Sequence, residues 1–463
     1  MKPSAREAST AARGRANNIE TGTVVGLTHE GAGIVRDGKA AFVVGALPGE
    51  VISFRRAKRH KQYDEALLVE VLSASEERQT PRCAHFGVCG GCALQHLAPE
   101  KQLQSKHAEL RDNLERIAHV TPARWLEPMH GPVWNYRRRA RLGARFVPKK
   151  GRVVVGFRER LAPYVADVQR CEVLAEPLDQ LIQPLGAMMT QLDTREHIPQ
   201  IEVAAADNTT ALVLRVLMTP SAKDLQILAD FERERRVRFY LQPGGLDSIV
   251  RLGAPSPQGS AAPPQSAQAS DEAPLFYALP DFDLQLEFTP TDFIQINGAI
   301  NRQLVARAVD YLDLTSDSRV LDLFCGLGNF TLALARRAGH VVGVEGEASL
   351  IERARHNARR NAISNAEFHV ANLADVHMPG VPWTRGGFTH VLLDPPRVGA
   401  KEVLAAVAGF RPQRVLYISC HPGSLARDVG ILVNDLGFAL KAAGVLDMFP
   451  HTNHVESLAV LEP

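Results

Sequence analysis

The sequence predicts a multidomain α/β protein: a small closed β-barrel in front, a mixed α+β region in the middle, and a doubly wound, mostly parallel sheet behind. Three observations predict it. Short β-runs broken by glycine turns fill residues 21–72, and a Cys- and Gly-rich loop at 81–96 opens a mixed region. From about Leu312, apolar strands alternate with helical stretches to the end of the chain.

Composition sets outer limits. The 463 residues are 45% hydrophobic and 22% charged, which excludes a disordered chain, a collagen and a coiled coil. No apolar run reaches the length of a membrane span, and residues 1–18 lack the apolar core of a signal peptide. A cytoplasmic protein is expected, with its six cysteines as thiols rather than a disulfide scaffold. The net charge of +2 hides an asymmetry. Residues 1–150 hold 25 Lys plus Arg against 15 Asp plus Glu, and residues 151–463 hold 28 against 36. A basic front half points to a polyanionic partner.

Residues 1–17 are small, polar and partly basic, and read as a disordered tail. Over 18–75 the runs TVVGLTH, GAGIVRDGKAAFVVG, EVISFRRAKR and EALLVEVLSAS read as strands, with Asp37-Gly38 as a hairpin turn. Four or five short strands in this span predict an OB-like barrel. Arg55, Arg56, Lys58, Arg59 and Lys61 suit RNA, or simply an accessory domain with a charged surface. The central region, 76–285, starts with the Cys-rich loop and a helix from about Pro99 to Ile117. It includes the alternating strands IEVAAAD and TALVLRVLM. Residues 253–274 (GAPSPQGSAAPPQSAQASDEAP) are low-complexity and read as a flexible insertion. Residues 286–463 hold the doubly wound domain, with RVLDLF, HVVGVEG, AEFHVAN, THVLLD and RVLYIS as buried strands.

The first of these strands runs into Asp322-Leu-Phe-Cys-Gly326-Leu-Gly328-Asn329 and a helix. Glycines let backbone approach a ligand, and helix N–H groups face it. A dinucleotide fingerprint needs a glycine where Thr331 stands. The D-x-x-x-G-x-G pattern instead resembles the S-adenosylmethionine loop of class I methyltransferases. Glu345 ends the second strand, where a carboxylate can bind ribose hydroxyls, and Asn372 and Asp394 follow the third and fourth. Asp394-Pro-Pro-Arg397 has arginine where amino-methyltransferases have an aromatic residue, which speaks against amine methylation.

Cys420 follows the fifth strand and precedes a helix, a position that lowers a thiol pKa. A thiolate suits methylation of uracil C5, which is a poor nucleophile until a thiolate adds at C6. That chemistry also needs a base for the C5 proton. Glu456, flanked by Val455 and Leu458, can have a raised pKa; His451 and His454 are rivals that spacing does not separate. Cys325 reads as packing. Cys83-x5-Cys89-Gly-Gly-Cys92 places three thiols in one loop, with Cys171 the only other unassigned cysteine. An iron–sulfur cluster and a zinc site both fit that spacing. Trp134-Asn-Tyr136-Arg137-Arg138-Arg139-Ala-Arg141 interleaves aromatics with guanidinium groups, as RNA binding requires. A uridine held in a stem must be flipped out to reach Cys420.

Together these residues resemble the RNA uracil-C5 methyltransferase family, in its 23S rRNA branch, over nearly the whole chain from about residue 18. The resemblance implies an N-terminal TRAM barrel, a central domain and a Rossmann-like class I methyltransferase domain. It implies a [4Fe–4S] cluster held by Cys83, Cys89, Cys92 and Cys171. It implies that Gln295, Phe324, Asn329, Glu345, Asn372 and Asp394 line the S-adenosylmethionine and target site. Cys420 is then the nucleophile and Glu456 the base. The expected partner is 23S rRNA with a flipped-out uridine, bound by a monomer, with no DNA and no membrane. A tRNA uracil-C5 methyltransferase is the alternative within the class, although the one it would resemble lacks the barrel and cluster. A radical methylthiotransferase has a C-x3-C-x2-C motif not found here. The reading from another class is a non-catalytic RNA-binding iron–sulfur protein.

Overall fold

The computed structural model describes residues 19–253, 272–375 and 381–463. The expected tail at 1–17 and nearly all of the expected insertion at 253–274 lie outside the described residues. Contacts divide the chain into two compact units, Met1–Lys106 with Pro450–Asn453, and His107–Phe449 with His454–Pro463.

The first unit holds the barrel. Strands β1 (Ile19–Leu27), β2 (Ala32–Val35), β3 (Ala40–Val44), β4 (Val51–Arg59) and β5 (Tyr63–Ser73) close in the order β1-β2-β3-β5-β4. Antiparallel pairing of β4 with β1, Ile19 opposite Arg55, completes the ring. Alternation turns Val24, Val35, Val43, Ile52 and Phe54 inward as the core. At Gly22 a Cβ would stand 2.6 Å from Val35 Cγ1, so only glycine lets β1 cross β2 this closely. Of the basic cluster, Arg56 pairs with Glu20 and Asp64 and Lys58 with Glu65. Arg55, Arg59 and Lys61 are exposed.

The Cys-rich loop of this unit is a run of tight turns, with Phe86 N–H donating to Cys83 O and Cys89 N–H to His85 O. Its end is tied to residue 451: the Ala93 and Leu94 N–H groups both donate to His451 O, at 2.8 and 3.0 Å. Helix α1 (Pro99–Asn113) follows, and within it the chain passes from the first unit to the second.

After the end of α1 and a helical turn at Leu114–Ala118, the second unit continues with the two-residue β6 (Arg124–Trp125). Next come β7 (Arg139–Val147), β8 (Arg152–Gly156), α2 (Leu178–Thr190), β9 (Gln200–Ala205), β10 (Thr210–Arg215), α3 (Ala222–Arg235), β11 (Val237–Gln242) and β12 (Val250–Arg251). These strands form a sheet in the order β12-β11-β10-β9-β7-β8. The expected strands IEVAAAD and TALVLRVLM are β9 and β10. Ser221 and Asp224 start α3 with a reciprocal capping box. A hairpin, β13 (Leu275–Leu279) and β14 (Leu284–Phe288), leads into α4 (Gly298–Leu312), which Asn297 caps by accepting the Ile300 N–H.

The largest sheet comes last. It comprises β15 (Arg319–Leu323), α5 (Thr331–Ala335), β16 (His340–Glu345), α6 (Ala348–Arg360), β17 (Ala366–Val370), β18 (His390–Leu393), α7 (Lys401–Gly409), β19 (Arg414–Ser419), α8 (Pro422–Gly430), β20 (Ala439–Leu446) and β21 (Glu456–Glu462). Strand order is β17-β16-β15-β18-β19-β21-β20-β6. The first five are parallel, and β21 runs antiparallel between β19 and β20. Central strands such as Val391–Leu393 and Val415–Ser419 are buried on both faces, which is why they read as unbroken apolar runs. The order reverses at β15, which has β16 on one side and β18 on the other. Such a switch point opens a crevice at the carboxyl ends of the strands.

Candidate active site

Every residue expected to bind the cofactor on the first four strands stands at this carboxyl edge. After β15 the backbone turns left-handed at Phe324 (φ 66°), Gly326 (φ 55°) and Gly328 (φ 95°). A Cβ at Gly326 would meet only open space, so glycine serves the backbone angle there, not crowding. Phe324 is a non-glycine residue held in that region, a strain typical of ligand loops. The Phe324 and Cys325 N–H groups both donate to Val344 O, fixing the loop to β16. Cys325 is buried behind the loop, as expected of a packing residue, and burial raises its thiol pKa.

Glu345 is pre-oriented. Its Oε2 accepts the Gly326 N–H (3.2 Å), and its Oε1 accepts those of Gly346 (2.7 Å) and Glu347 (3.2 Å). A carboxylate fixed by three backbone donors at the end of β16 fits a ribose diol, so the residues present fit S-adenosylmethionine. Asn329 is held from two sides. Its Oδ1 accepts from Tyr277 Oη (2.9 Å) and Asn301 Nδ2 (3.0 Å), and its Nδ2 donates to Asn301 Oδ1 (3.0 Å). These bonds brace the loop from β13 and α4. Asn372 is exposed, accepting from Ala374 N–H and donating to Asp375. Gln295 is half-buried in the segment before α4 and lines a small pocket with Tyr277 and Asn301.

The reactive end lies where β19 meets β21. Ser419 pairs with Ser457, so the antiparallel register sets Cys420 opposite Glu456. Burial pushes the Cys420 thiol up to about 11, and the Glu456 and Asp394 carboxyls add to this, while the Arg397 guanidinium opposes it. The expected depression by a helix N-terminus is therefore overturned. Burial outweighs it; at the start of α8, His421 Nδ1 caps the Ser424 N–H at 3.1 Å, and Pro422 has no N–H to offer. Glu456 is buried and its pKa lies well above the ordinary carboxylate range, first from burial and then from Asp394. Burial raises Asp394 to about 7.

The two histidines also separate. His451 is wholly buried in the first unit, with its Nδ1 3.2 Å from Gln102 Nε2. His454 Nδ1 accepts from Arg397 Nη2 at 3.1 Å. Sequence reasoning missed Arg397 as the cation of this site; its signal was the D-P-P-R motif itself. It also missed Tyr277 and Asn301, which carried no signal.

Among the described residues no group of three or more His, Cys, Asp or Glu side chains is gathered as a metal-ligand set. Cys83, Cys89 and Cys92 are half-buried in the first unit, with the Gly91 N–H 3.4 Å from Cys89 Sγ; Cys171 is buried in the second. No helix among the described residues is long and apolar enough to cross a membrane.

The parallel sheet with an antiparallel β21, the glycine loop and the anchored Glu345 define a class I methyltransferase. Comparison with known proteins agrees. Residues 277–463 match the family model described as tRNA (Uracil-5-)-methyltransferase. The 23S rRNA (uracil(1939)-C(5))-methyltransferase RlmD of Xanthomonas campestris pv. campestris strain 8004 is 47% identical over 95% of this chain and 96% of its own. That of Xylella fastidiosa strain Temecula1 is 48% identical over the same shares. The chain belongs to this RlmD family of RNA uracil-C5 methyltransferases. The fold is also that of the Pyrococcus abyssi tRNA (uracil-54, C5)-methyltransferase solved with S-adenosyl-L-homocysteine, at TM-score 0.71 and 23% identity, over 96% of this chain and all of the other.

Proposed function

We propose that this chain methylates C5 of a uridine in 23S rRNA, the uridine at position 1939 that its relatives' name specifies, with Cys420 as nucleophile and Glu456 as base. S-adenosylmethionine, bound at the glycine loop, Glu345 and Gln295, supplies the methyl group. The observation that carries the reading is the register placing Cys420 opposite Glu456. Cys420 Sγ, as thiolate, bonds to C6, and the C5–C6 π electrons move toward O4. C5 then takes the methyl group from the sulfonium, leaving S-adenosylhomocysteine. Glu456, as carboxylate, removes the C5 proton; the C5–H electrons rebuild the double bond and expel the thiolate. Arg397 offsets the negative charges of the site, and Asp394 and Gln295 face the bound groups. The target uridine enters flipped out.

The barrel at 18–75 acts as a TRAM-type RNA-binding domain, 76–285 as the central domain, and 286–463 as the methyltransferase domain of a cytoplasmic monomer. The thiols of Cys83, Cys89, Cys92 and Cys171 hold a [4Fe–4S] cluster that serves structure. The C-x5-C-G-G-C spacing and the Gly91 N–H beside the Cys89 sulfur support that assignment. The test is methyl transfer to unmodified 23S rRNA fragments, with the product located by mass spectrometry. Product on tRNA alone refutes the rRNA assignment, and absence of any methylated uridine refutes the reaction.

A further inference from the structure

The stretch that the sequence marks for RNA is largely spent inside the protein. Arg138 pairs with Asp207 at 2.8 Å, and Arg141 with Glu202 at 2.8 Å. Arg139 lies 3.6 Å from Glu202. Arg137 donates to Arg139 O at 3.0 Å and sits 5.6 Å above the Phe157 ring. Arg145, Lys149 and Arg158 are exposed and form no ion pair among the described residues. Arg145 lies on β7, Lys149 just after it, and Arg158 on the hairpin that follows β8.

That hairpin, Phe157–Ala166, is a built element. Ala166 N–H donates to Phe157 O (2.8 Å) and Glu159 N–H to Tyr164 O (2.9 Å). Its root lies flat on two glycines that face each other across β7 and β8, Gly143 opposite Gly156. A Cβ on Gly156 would stand 2.2 Å from Ala166 O, and one on Gly143 would stand 2.8 Å from Val165 Cγ2. The tip presents Leu161 at 67% and Tyr164 at 60% exposure, and Arg158 is exposed on the facing strand, opposite Val165. A large apolar and an aromatic side chain held out on hydrogen-bonded backbone mark a contact surface. An exposed guanidinium and an exposed ring carried by one short hairpin suit a chain with phosphates and flat bases. The root also adjoins the candidate site: the Arg137 backbone bridges to Asn297, two residues beyond Gln295, while its guanidinium covers Phe157.

We propose that the hairpin Phe157–Ala166 is a platform for an unpaired stretch of the RNA substrate, with Tyr164 stacked on a base and Arg158 on a phosphate. This rests on the RNA-methyltransferase reading. In the full chain, Tyr164→Ala raises the Kd for an unmodified 23S rRNA fragment about tenfold. Tyr164→Trp restores it, and S-adenosylmethionine affinity and kcat at saturating RNA do not change. Arg158→Ala lowers the slope of log Kd against log salt by about one. Wild-type RNA affinity in Tyr164→Ala and a wild-type slope in Arg158→Ala overturn the proposal, including the case in which the hairpin captures a protein instead. Hairpin-dependent RNA binding without methylation by the wild type would sink the proposed reaction and leave this platform standing.

Discussion

Tyr277 donates its phenolic hydrogen to Asn329 in the cofactor loop at 2.9 Å, from a strand that precedes the methyltransferase sheet in the chain. The ring is almost fully buried, so the hydroxyl has no water to replace that partner. Tyr277→Phe leaves Asn329 with Asn301 alone and loosens the loop. The expected outcome is a several-fold loss of S-adenosylmethionine affinity, about 1 kcal/mol for one buried hydrogen bond, with RNA affinity unchanged. Isothermal titration of the variant with S-adenosylmethionine reads both sign and size.

Cys420 and Glu456 divide the reaction into formation and release of an RNA adduct. Cys420→Ala abolishes adduct and product while RNA binding persists. Glu456→Gln still forms the methylated adduct but cannot expel the enzyme, so a covalent complex accumulates on denaturing gels. Normal release by Glu456→Gln would move the base elsewhere, and His454 is the one sequence candidate that remains in the same unit as Cys420.

The pH dependence follows from the same two groups. The Cys420 thiol, raised to about 11, is mostly protonated at neutral pH, so its thiolate fraction grows about tenfold per pH unit. Glu456, raised well above the ordinary range, gains its basic form as pH rises. Both effects point the same way: adduct formation and release accelerate from pH 6 to 9. A rate that falls across this interval in single-turnover assays would show that neither group limits turnover.

Much of the site was legible because its chemistry depends on residues next to strand ends. RVLDLF, HVVGVEG and RVLYIS mark β15, β16 and β19 and so place Gly326, Glu345 and Cys420 on one edge from the sequence alone. Spacing alone did not separate Glu456 from the histidines; pairing favours it, since the β19–β21 register, carried one residue past Ser419–Ser457, sets Glu456 opposite Cys420. The sign of the Cys420 shift was illegible because burial and the Glu456 carboxyl, which raise it, come from the tertiary fold rather than from the local helix start. β6 pairs with β20 through two residues, too few to show a period. The ion pairs of Arg138 with Asp207 and Arg141 with Glu202 were illegible because those carboxylates are remote in sequence.

Asp322 gives a stability prediction. One oxygen accepts the Thr331 hydroxyl at 2.5 Å; the other is buried with no partner among the described residues. Burial, and then the Asp394 and Glu345 charges, raise its pKa to about 7 from an ordinary 3.8. The folded state therefore holds the proton more tightly than the unfolded chain, and stability falls as pH rises between these values. Asp322→Asn keeps an acceptor for Thr331 and removes the ionisation. Its unfolding midpoint should exceed that of the wild type at pH 8, by about 2–4 °C for each kcal/mol regained, and the gap should close toward pH 4. Calorimetry at the two pH values decides it.

The Cys-rich loop yields the last prediction. Three thiols lie in one turn-rich segment whose backbone is fastened to residue 451 by the Ala93 and Leu94 N–H groups. A bound cluster tightens that segment, because thiolate ligation fixes Cys83, Cys89 and Cys92 to one centre. Protein purified without oxygen should be brown, with iron and acid-labile sulfide in equal amounts and no stoichiometric zinc. Cys89→Ser should lose the colour, and the Ala93 and Leu94 amides should exchange hydrogen faster than in the wild type. Stoichiometric zinc in colourless protein would replace iron with a structural zinc site. Unchanged exchange at Ala93 and Leu94 in an iron-free variant would show that their hydrogen bonds to His451 hold without a cluster.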